Sequence, residues 1–343
     1  MSLSWAVNCV VHKEMSSSDN SLLLEYTEPV KDDLTRFDRK LHDYLRGDSP
    51  LISSIARHLL KSKGKRIRPA FVFLSARATD NFSEHAVDAS LAIELIHTAT
   101  LLHDDVVDES DLRRGQETVN YKWKNLISVL MGDYIFAKAF RIMVDAGSME
   151  LVDAISRATE RVSVGELRQI EESGNYSLSE DEYLGIIADK TASLFAVSCE
   201  TGPILSGRGK SERDRFSDFG EKIGTAFQVA DDLLDYVGEP EKTGKEPGND
   251  VVNGKVTLPL IYSLSKVGEA SGREMIRYLK EGHEPESFER VYEFVNETGG
   301  LSYARRRAIE LSEQALESIA PVKPSPFAES LTNMVRYSVS RAS

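Results

Sequence analysis

Residues 91–108 read LAIELIHTATLLHDDVVD, a run that is apolar almost all round a helical wheel and ends in three aspartates. A helix on the surface of a globular protein would show a polar face; this one does not, so Leu91–Leu102 is expected to sit centrally with other helices around it. Residues 224–235, GTAFQVADDLLD, repeat the arrangement, and Ile223–Leu234 is expected to be a second central helix. Asp104 and Asp108 lie four residues apart and share a helical face, as do Asp231 and Asp235. Carboxylates so placed repel each other and meet the negative end of the helix dipole, so each pentad calls for a cation. Two such ends predict a shared metal-diphosphate site. Mg²⁺ fits the ligand set, because it takes oxygen ligands and is commonly held by one or two carboxylates plus substrate phosphates. An EF-hand is excluded, since neither pentad has the alternating oxygen ligands or the central glycine of a calcium loop.

Outward from these two helices, apolar residues recur at three- and four-residue spacing and sustained alternation is absent, which predicts an all-α fold. Pro69 suits the first turn of a helix over Pro69–Ala78, and Ser179 with Glu182 reads as a capping box ahead of Tyr183–Cys199. Breaks are expected at Asp80-Asn81, Gly147-Ser148, Gly174-Asn175 and Gly207–Gly209. Residues 1–30 are expected to form a poorly ordered leader before a single domain at 31–343.

The chain has 343 residues, 41% hydrophobic and 28% charged, enough to bury a sizeable core. A formal net charge of −13 argues against a nucleic-acid binder and against electrostatic attachment to an anionic membrane. Cys9 and Cys199 are the only cysteines and form no CxxC motif, so a disulfide framework and a zinc site are both excluded and a reducing cytoplasmic setting is expected. Trp5–Val11 is too short for a signal or a membrane span, and no stable membrane anchor is expected.

Cations cluster around the acidic pentads. Gly64-Lys65-Arg66-Ile67-Arg68-Pro69 brings positive charge to a helix N-terminus, where side chains and free N–H groups can meet an anion together. Arg113-Arg114-Gly115 follows the first pentad after a short turn. After the second comes a Gly/Pro-rich stretch, Gly238–Pro259, carrying Lys242, Lys245 and Lys255, which suits a lid over a phosphate ligand.

The ordered set GKRIRP, LLHDDVVDESDLRRG, Lys190-Thr191, GTAFQVADDLLD and GK…GND…GK…LP resembles the trans-isoprenyl diphosphate synthases (polyprenyl synthetases), especially their bacterial long-chain branch. The resemblance runs from about Lys31 to the C-terminus. It implies that 31–343 is a polyprenyl synthetase catalytic domain, a helical bundle around a central cavity, and that the chain is a homodimer that condenses isopentenyl diphosphate with an allylic diphosphate. It further implies that Mg²⁺ binds the allylic diphosphate to Asp104, Asp108 and Asp231, with Asp105, Asp232 and Asp235 in support. Arg113, Lys190, Lys245 and Lys255 would hold the same diphosphate; Lys65, Arg68, His97 and Arg114 would hold isopentenyl diphosphate. Thr191 and Gln228 would set oxygen dipoles near the allylic cation.

Product length is expected to depend on Ala99 and Thr100, one turn below Asp104. At about 1.5 Å per residue Ala99 lies roughly 7 Å below that carboxylate, where short-chain members often carry an aromatic ring. A small Ala99 leaves the tunnel open, with Phe136, Phe140 or Met143 as candidate floors, and predicts heptaprenyl to decaprenyl products, octaprenyl favoured, for a lipid such as a quinone side chain. A shorter-chain geranylgeranyl or farnesylgeranyl synthase and a terpene cyclase are the alternatives. A cyclase would need no GKRIRP cluster, and a noncatalytic subunit of a two-chain synthase would have lost an acidic motif.

Overall fold

The computed structural model describes residues 21–340 apart from 48, 63, 114, 238–247 and 282–285. Seventeen helices follow one another: α1 (residues 21–27), α2 (Lys31–Tyr44), α3 (Pro50–Lys61), α4 (Ile67–Ala78), α5 (His85–Val107), α6 (Val119–Trp123), α7 (Asn125–Asp145), α8 (Met149–Glu171), α9 (Glu180–Ile187), α10 (Ser193–Leu205), α11 (Lys210–Val237), α12 (Asn249–Val252), α13 (Leu258–Lys266), α14 (Glu269–Lys280), α15 (Glu286–Glu297), α16 (Gly300–Ile319) and α17 (Pro326–Ser340). Among the described residues the only strands are β1 (Leu112–Arg113) and β2 (Gln116–Glu117), an antiparallel pair after the first pentad. The all-α expectation holds.

The apolar helices sit where their composition requires. On α5, Leu91, Ile93, Leu95, Ile96 and Ala99 are each 0% exposed, and a fully buried Leu or Ile contributes about 1.5–3 kcal/mol. The larger core gathers α2, α4, α5, α7, α8, α10, α17 and the middle of α11; a second lies between α9, the end of α11, α13, α15 and α16. Helix α11 enters both, with Ile223 in the first and Val229, Leu233 and Tyr236 in the second, so its acidic end lies alongside the second.

Helix starts and stops follow local chemistry. The Ser179–Glu182 capping box forms in full, and Gly147, Gly174 and Gly207 adopt positive φ at three of the expected breaks. Three elements differ from the sequence reading. Residues 21–30, expected to belong to the leader, form α1 and a short 3₁₀ turn, because Leu23 and Val30 are buried against the core; residues 1–20 lie outside the described residues. The helix expected over Tyr183–Cys199 is interrupted by a π-helical turn at Ala188–Ala192. The stretch 248–259, expected to be loop, holds α12, and Pro259 sits in the first turn of α13; 238–247 lie outside the described residues.

Close helix crossings depend on glycine. A Cβ at Gly202 of α10 would come within 2.4 Å of the Ala76 amide nitrogen on α4. Gly202→Ala is expected to cost about 1–3 kcal/mol through overpacking against that backbone, seen as a lower melting temperature; an unchanged melt would refute the close crossing.

Candidate active site

Helices α5 and α11 end in the two acidic pentads, and the residues after each helix turn back to compensate them. After α5, Asn120 Nδ2 donates to the carbonyl oxygens of Asp105 and Ser110 at 3.1 Å each, which fixes the turn. The β1–β2 hairpin then brings Arg113 back to the helix end, where its Nε donates to the buried Asp105 Oδ1 at 2.7 Å. After α11 the backbone N–H of Asp250, at the start of α12, donates to Asp235 Oδ2 at 3.0 Å.

Lys255 joins the two pentads. Its Nζ lies 3.9 Å from Asp108 Oδ2 and 3.6 Å from Asp250 Oδ1, so one ammonium faces both the end of α5 and the residue bonded to Asp235. Burial alone would lower its pKa, but Asp250, Asp108, Asp232 and Glu166 outweigh burial and raise it. Lys190, in the π-turn, pairs with Glu166 of α8 and acts electrostatically on Asp104. Burial lifts the Asp104 carboxyl to about 6, against the pull of Lys190 and with the further push of Glu166.

A directed chain of hydrogen bonds runs beneath this charged mouth. Thr191 donates its hydroxyl to Gln228 Oε1 at 2.8 Å, Gln228 Nε2 donates to Asp232 Oδ1 at 2.7 Å, and Tyr183 donates to Asp232 Oδ2 at 2.6 Å. The Gln228 amide is therefore oriented, and the lone pairs of the Thr191 hydroxyl are left for a partner on its other side. Burial, reinforced by Asp250, raises Asp232 to about 8.

The GKRIRP cluster divides its labour. Arg66, in a left-handed conformation at φ 53°, is taken up by Asp38 and Glu94 at 3.0 Å each. Lys65 Nζ donates to the Tyr337 hydroxyl of α17 at 2.9 Å, and Arg68 lies over the Phe195 ring with its guanidinium carbon 4.8 Å from the centroid. Phe195 in turn meets Phe227, the neighbour of Gln228, at 5.5 Å between ring centres. His97 is half-buried on α5, two turns before Asp104. Ala99 is fully buried and Thr100 half-buried. Of the candidate tunnel floors, Met143 is buried and Phe136 packs on the core, while Phe140 is 46% exposed, which argues against it as a floor.

Hydrogen bonds, ion pairs and charge interactions thus link Asp104, Asp105, Asp108, Arg113, Lys190, Thr191, Gln228, Asp232, Asp235 and Lys255, and Asp231 is exposed. Arg114 and Lys245 lie outside the described residues. The sequence reading missed Glu166, Tyr183 and Asp250, partners of Lys190, Asp232 and Lys255; of these only Asp250 had a signal, in the GND motif. Among the described residues no three His, Cys, Asp or Glu side chains converge into a ready-made metal cage. That donor set still fits Mg²⁺, which a few carboxylates can share with phosphate oxygens.

The polyprenyl synthetase family model matches residues 49–296, well over half of the chain. The chain belongs to the polyprenyl synthetase family. It is 36% identical over 320 residues to the octaprenyl diphosphate synthase of Escherichia coli, covering 93% of this chain and 99% of that one. It is also 36% identical over 314 residues to an all-trans-nonaprenyl-diphosphate synthase (geranyl-diphosphate specific) of Rhodobacter capsulatus, covering 91% of this chain and 96% of that one. The crystal structure of a polyprenyl synthase from Caulobacter crescentus, complexed with calcium and isoprenyl diphosphate, superposes with a TM-score of 0.89 at 34% identity, covering 94% of this chain and 98% of that one.

A buried carboxyl whose pKa is raised holds its proton in the folded chain while the unfolded chain has already lost it, so stability falls as pH rises through that window, here from about 4 to about 8 for Asp232. Asp232→Asn should therefore melt several degrees above the wild type at pH 9 in EDTA and gain little at pH 4. An equal gain at both pH values would rule out the buried charge as its cause.

Proposed function

We propose that this chain is a Mg²⁺-dependent, head-to-tail trans-prenyltransferase, which condenses isopentenyl diphosphate with an allylic diphosphate such as farnesyl diphosphate into a long all-trans-polyprenyl diphosphate, octaprenyl favoured. The observation that carries this reading is Lys255 standing between the two acidic helix ends, with Lys190 and Arg113 beside the first. Acid and base interleaved in this way suit a ligand that brings phosphate oxygens and divalent cations together.

Arg113, Lys190, Lys245 and Lys255 hold the allylic diphosphate, and Asp104, Asp108 and Asp231 hold Mg²⁺ on it, with Asp105, Asp232 and Asp235 behind them. When bound, the metal supplies Lewis-acid stabilisation of the leaving diphosphate. As the allylic C–O bond breaks, the cations of this chain meet the charge that grows on the diphosphate, and their fixed positions make that stabilisation effective. The Thr191 lone pairs, left open by the bond to Gln228, face the developing carbocation. Lys65, Arg68, His97 and Arg114 hold isopentenyl diphosphate, whose double bond attacks the allylic carbon; the departed diphosphate takes the proton that is then lost. No covalent intermediate is involved, and burial raises the Cys199 thiol far above the range of a nucleophile.

The active form is a homodimer joined through an outer apolar face where Leu126, Val129, Leu130, Phe140 and Val144 of α7 and Val164, Leu167 and Ile170 of α8 are exposed. Sedimentation should give twice the 38.2 kDa of the chain, and Leu130→Asp with Val144→Asp should shift it toward the single-chain value. The chain works in the cytoplasm. Among the described residues no helix is long and apolar enough to cross a membrane.

Purified protein with Mg²⁺, farnesyl diphosphate and labelled isopentenyl diphosphate should give a dominant octaprenyl product after dephosphorylation. Asp104→Asn should reduce kcat roughly 100-fold or more. Ala99→Tyr should shorten the product to farnesyl or geranylgeranyl length while the first additions continue. An unchanged product would remove Ala99 from the tunnel wall, and no elongation by the wild-type chain would remove the proposal.

A further inference from the structure

Helices α9 and α10 would be one continuous rod but for the π-turn at Ala188–Ala192. A π-turn adds one residue to a helical turn and so rotates the succeeding residues by about 100° relative to an uninterrupted α-helix. Lys190 and Thr191 both lie in this turn and address different neighbours, Lys190 toward Glu166 and Asp104, Thr191 toward Gln228. Nothing in the local sequence, Ala188-Asp189-Lys190-Thr191-Ala192, makes a π-turn preferable to α-helix, so its cause is sought in the elements packed against it.

Two helices grip it. On α8, Arg161, Gly165 and Arg168 lie at i, i+4 and i+7 and share a face. A Cβ at Gly165 would come within 2.3 Å of the Lys190 amide nitrogen and 2.8 Å of its Cα, so this glycine admits the backbone of the turn itself. Arg161 and Arg168 reach Asp189 from either side of that glycine: Arg161 Nε donates to Oδ1 at 2.8 Å and Arg168 Nη1 to Oδ2 at 3.4 Å. Helix α11 presents Glu221, Gly224 and Gln228 to the turn, again on one face. A Cβ at Gly224 would lie 2.6 Å from Ala192 Cα. Arg161 Nη1 also donates to Glu221 Oε2 at 2.8 Å, so a single guanidinium ties the turn to the helix that carries Gln228 and the second pentad.

We propose that Arg161, Gly165 and Gly224 are positioning residues for the condensation. They clamp the π-turn between α8 and α11, so that Lys190 is aimed at the diphosphate end of the site and Thr191 at Gln228. This rests on the prenyl-transfer reading above. None of the three touches substrate; each acts through Lys190 and Thr191.

Hydrogen exchange of the amides at 188–192 in metal-free, substrate-free protein tests the clamp directly, and steady-state kinetics test its use. For Gly165→Ala, exchange across 188–192 should quicken at least tenfold and kcat should fall at least tenfold. KM for isopentenyl diphosphate should stay within twofold, because Lys65, Arg68 and His97 belong to the chain around α4 and α5. Alanine favours helix more than glycine does, so a purely local effect on α8 would slow exchange within α8 and leave 188–192 unchanged, and that result would overturn the proposal. Arg161 is 37% exposed and can be replaced without opening the core. Arg161→Met should lower kcat with Arg161→Lys recovering part of it, and in a cycle with Lys190→Met the two losses should not multiply. Fully multiplicative losses, or exchange and kcat within twofold of wild type in Gly165→Ala, would also overturn it. Should the wild-type chain fail to condense the substrates, the functional reading falls, while the exchange measurement still judges the clamp.

Discussion

Half-buried carboxylates at the C-terminal ends of two central helices impose the constraint on which the rest of this structure depends. Helix dipoles point their negative ends at Asp104–Asp108 and Asp231–Asp235, and burial adds to the cost of ionising Asp104 and Asp232. The chain answers with cations delivered from elsewhere: Arg113 by a two-residue hairpin, Lys190 by a π-turn and Lys255 by the segment after α12. That compensation is partial, and a site so built favours a ligand that carries both anionic oxygens and divalent cations.

Apolar packing determines where these charges can meet. Helix α5 has almost no polar face and enters the core as a rod, whereas α11 keeps exposed charge at Lys210, Asp214 and Asp218 and is largely buried only toward its acidic end. Glycines at 165, 202, 220 and 224 let neighbouring backbones approach closer than any side chain would permit. Through those approaches α8, α10 and α11 converge beneath the mouth of the site, and the chain of donors from Tyr183 and Thr191 to Asp232 becomes possible. Rigid packing here fixes a direction, because a hydroxyl can present its lone pairs in a chosen direction only when its hydrogen is held elsewhere.

Much of this was legible in the sequence, because the strongest signals were periodic or chemical. The wholly apolar run before Asp104 announced a central helix, the Ser179–Glu182 box marked a helix start, and the repeated pentad marked the two acidic helix ends that Lys255 and Asp250 link. The π-turn at Ala188–Ala192 was invisible, since it arises from the fit of two other helices and not from its own residues. Leu23 and Val30 lie beyond the expected domain start because two or three apolar residues on a short segment make too little pattern to separate a docked helix from a leader. Tyr183 and Glu166 went unnoticed for a related reason: their partners are 49 residues away for Tyr183 and on another helix for Glu166, and no spacing rule links them.

The hydrogen bond from Lys65 to Tyr337 spans 272 residues of chain. It gives the Lys65 cluster a partner in α17, one of the most non-local contacts among the described residues. Pairings of such separation form late, after the chain-closure entropy between them has been met. On the ribosome, α4 and α5 emerge and can pack long before α17 leaves the exit tunnel. The acidic end of α5 can therefore pack before the basic cluster has its Tyr337 partner.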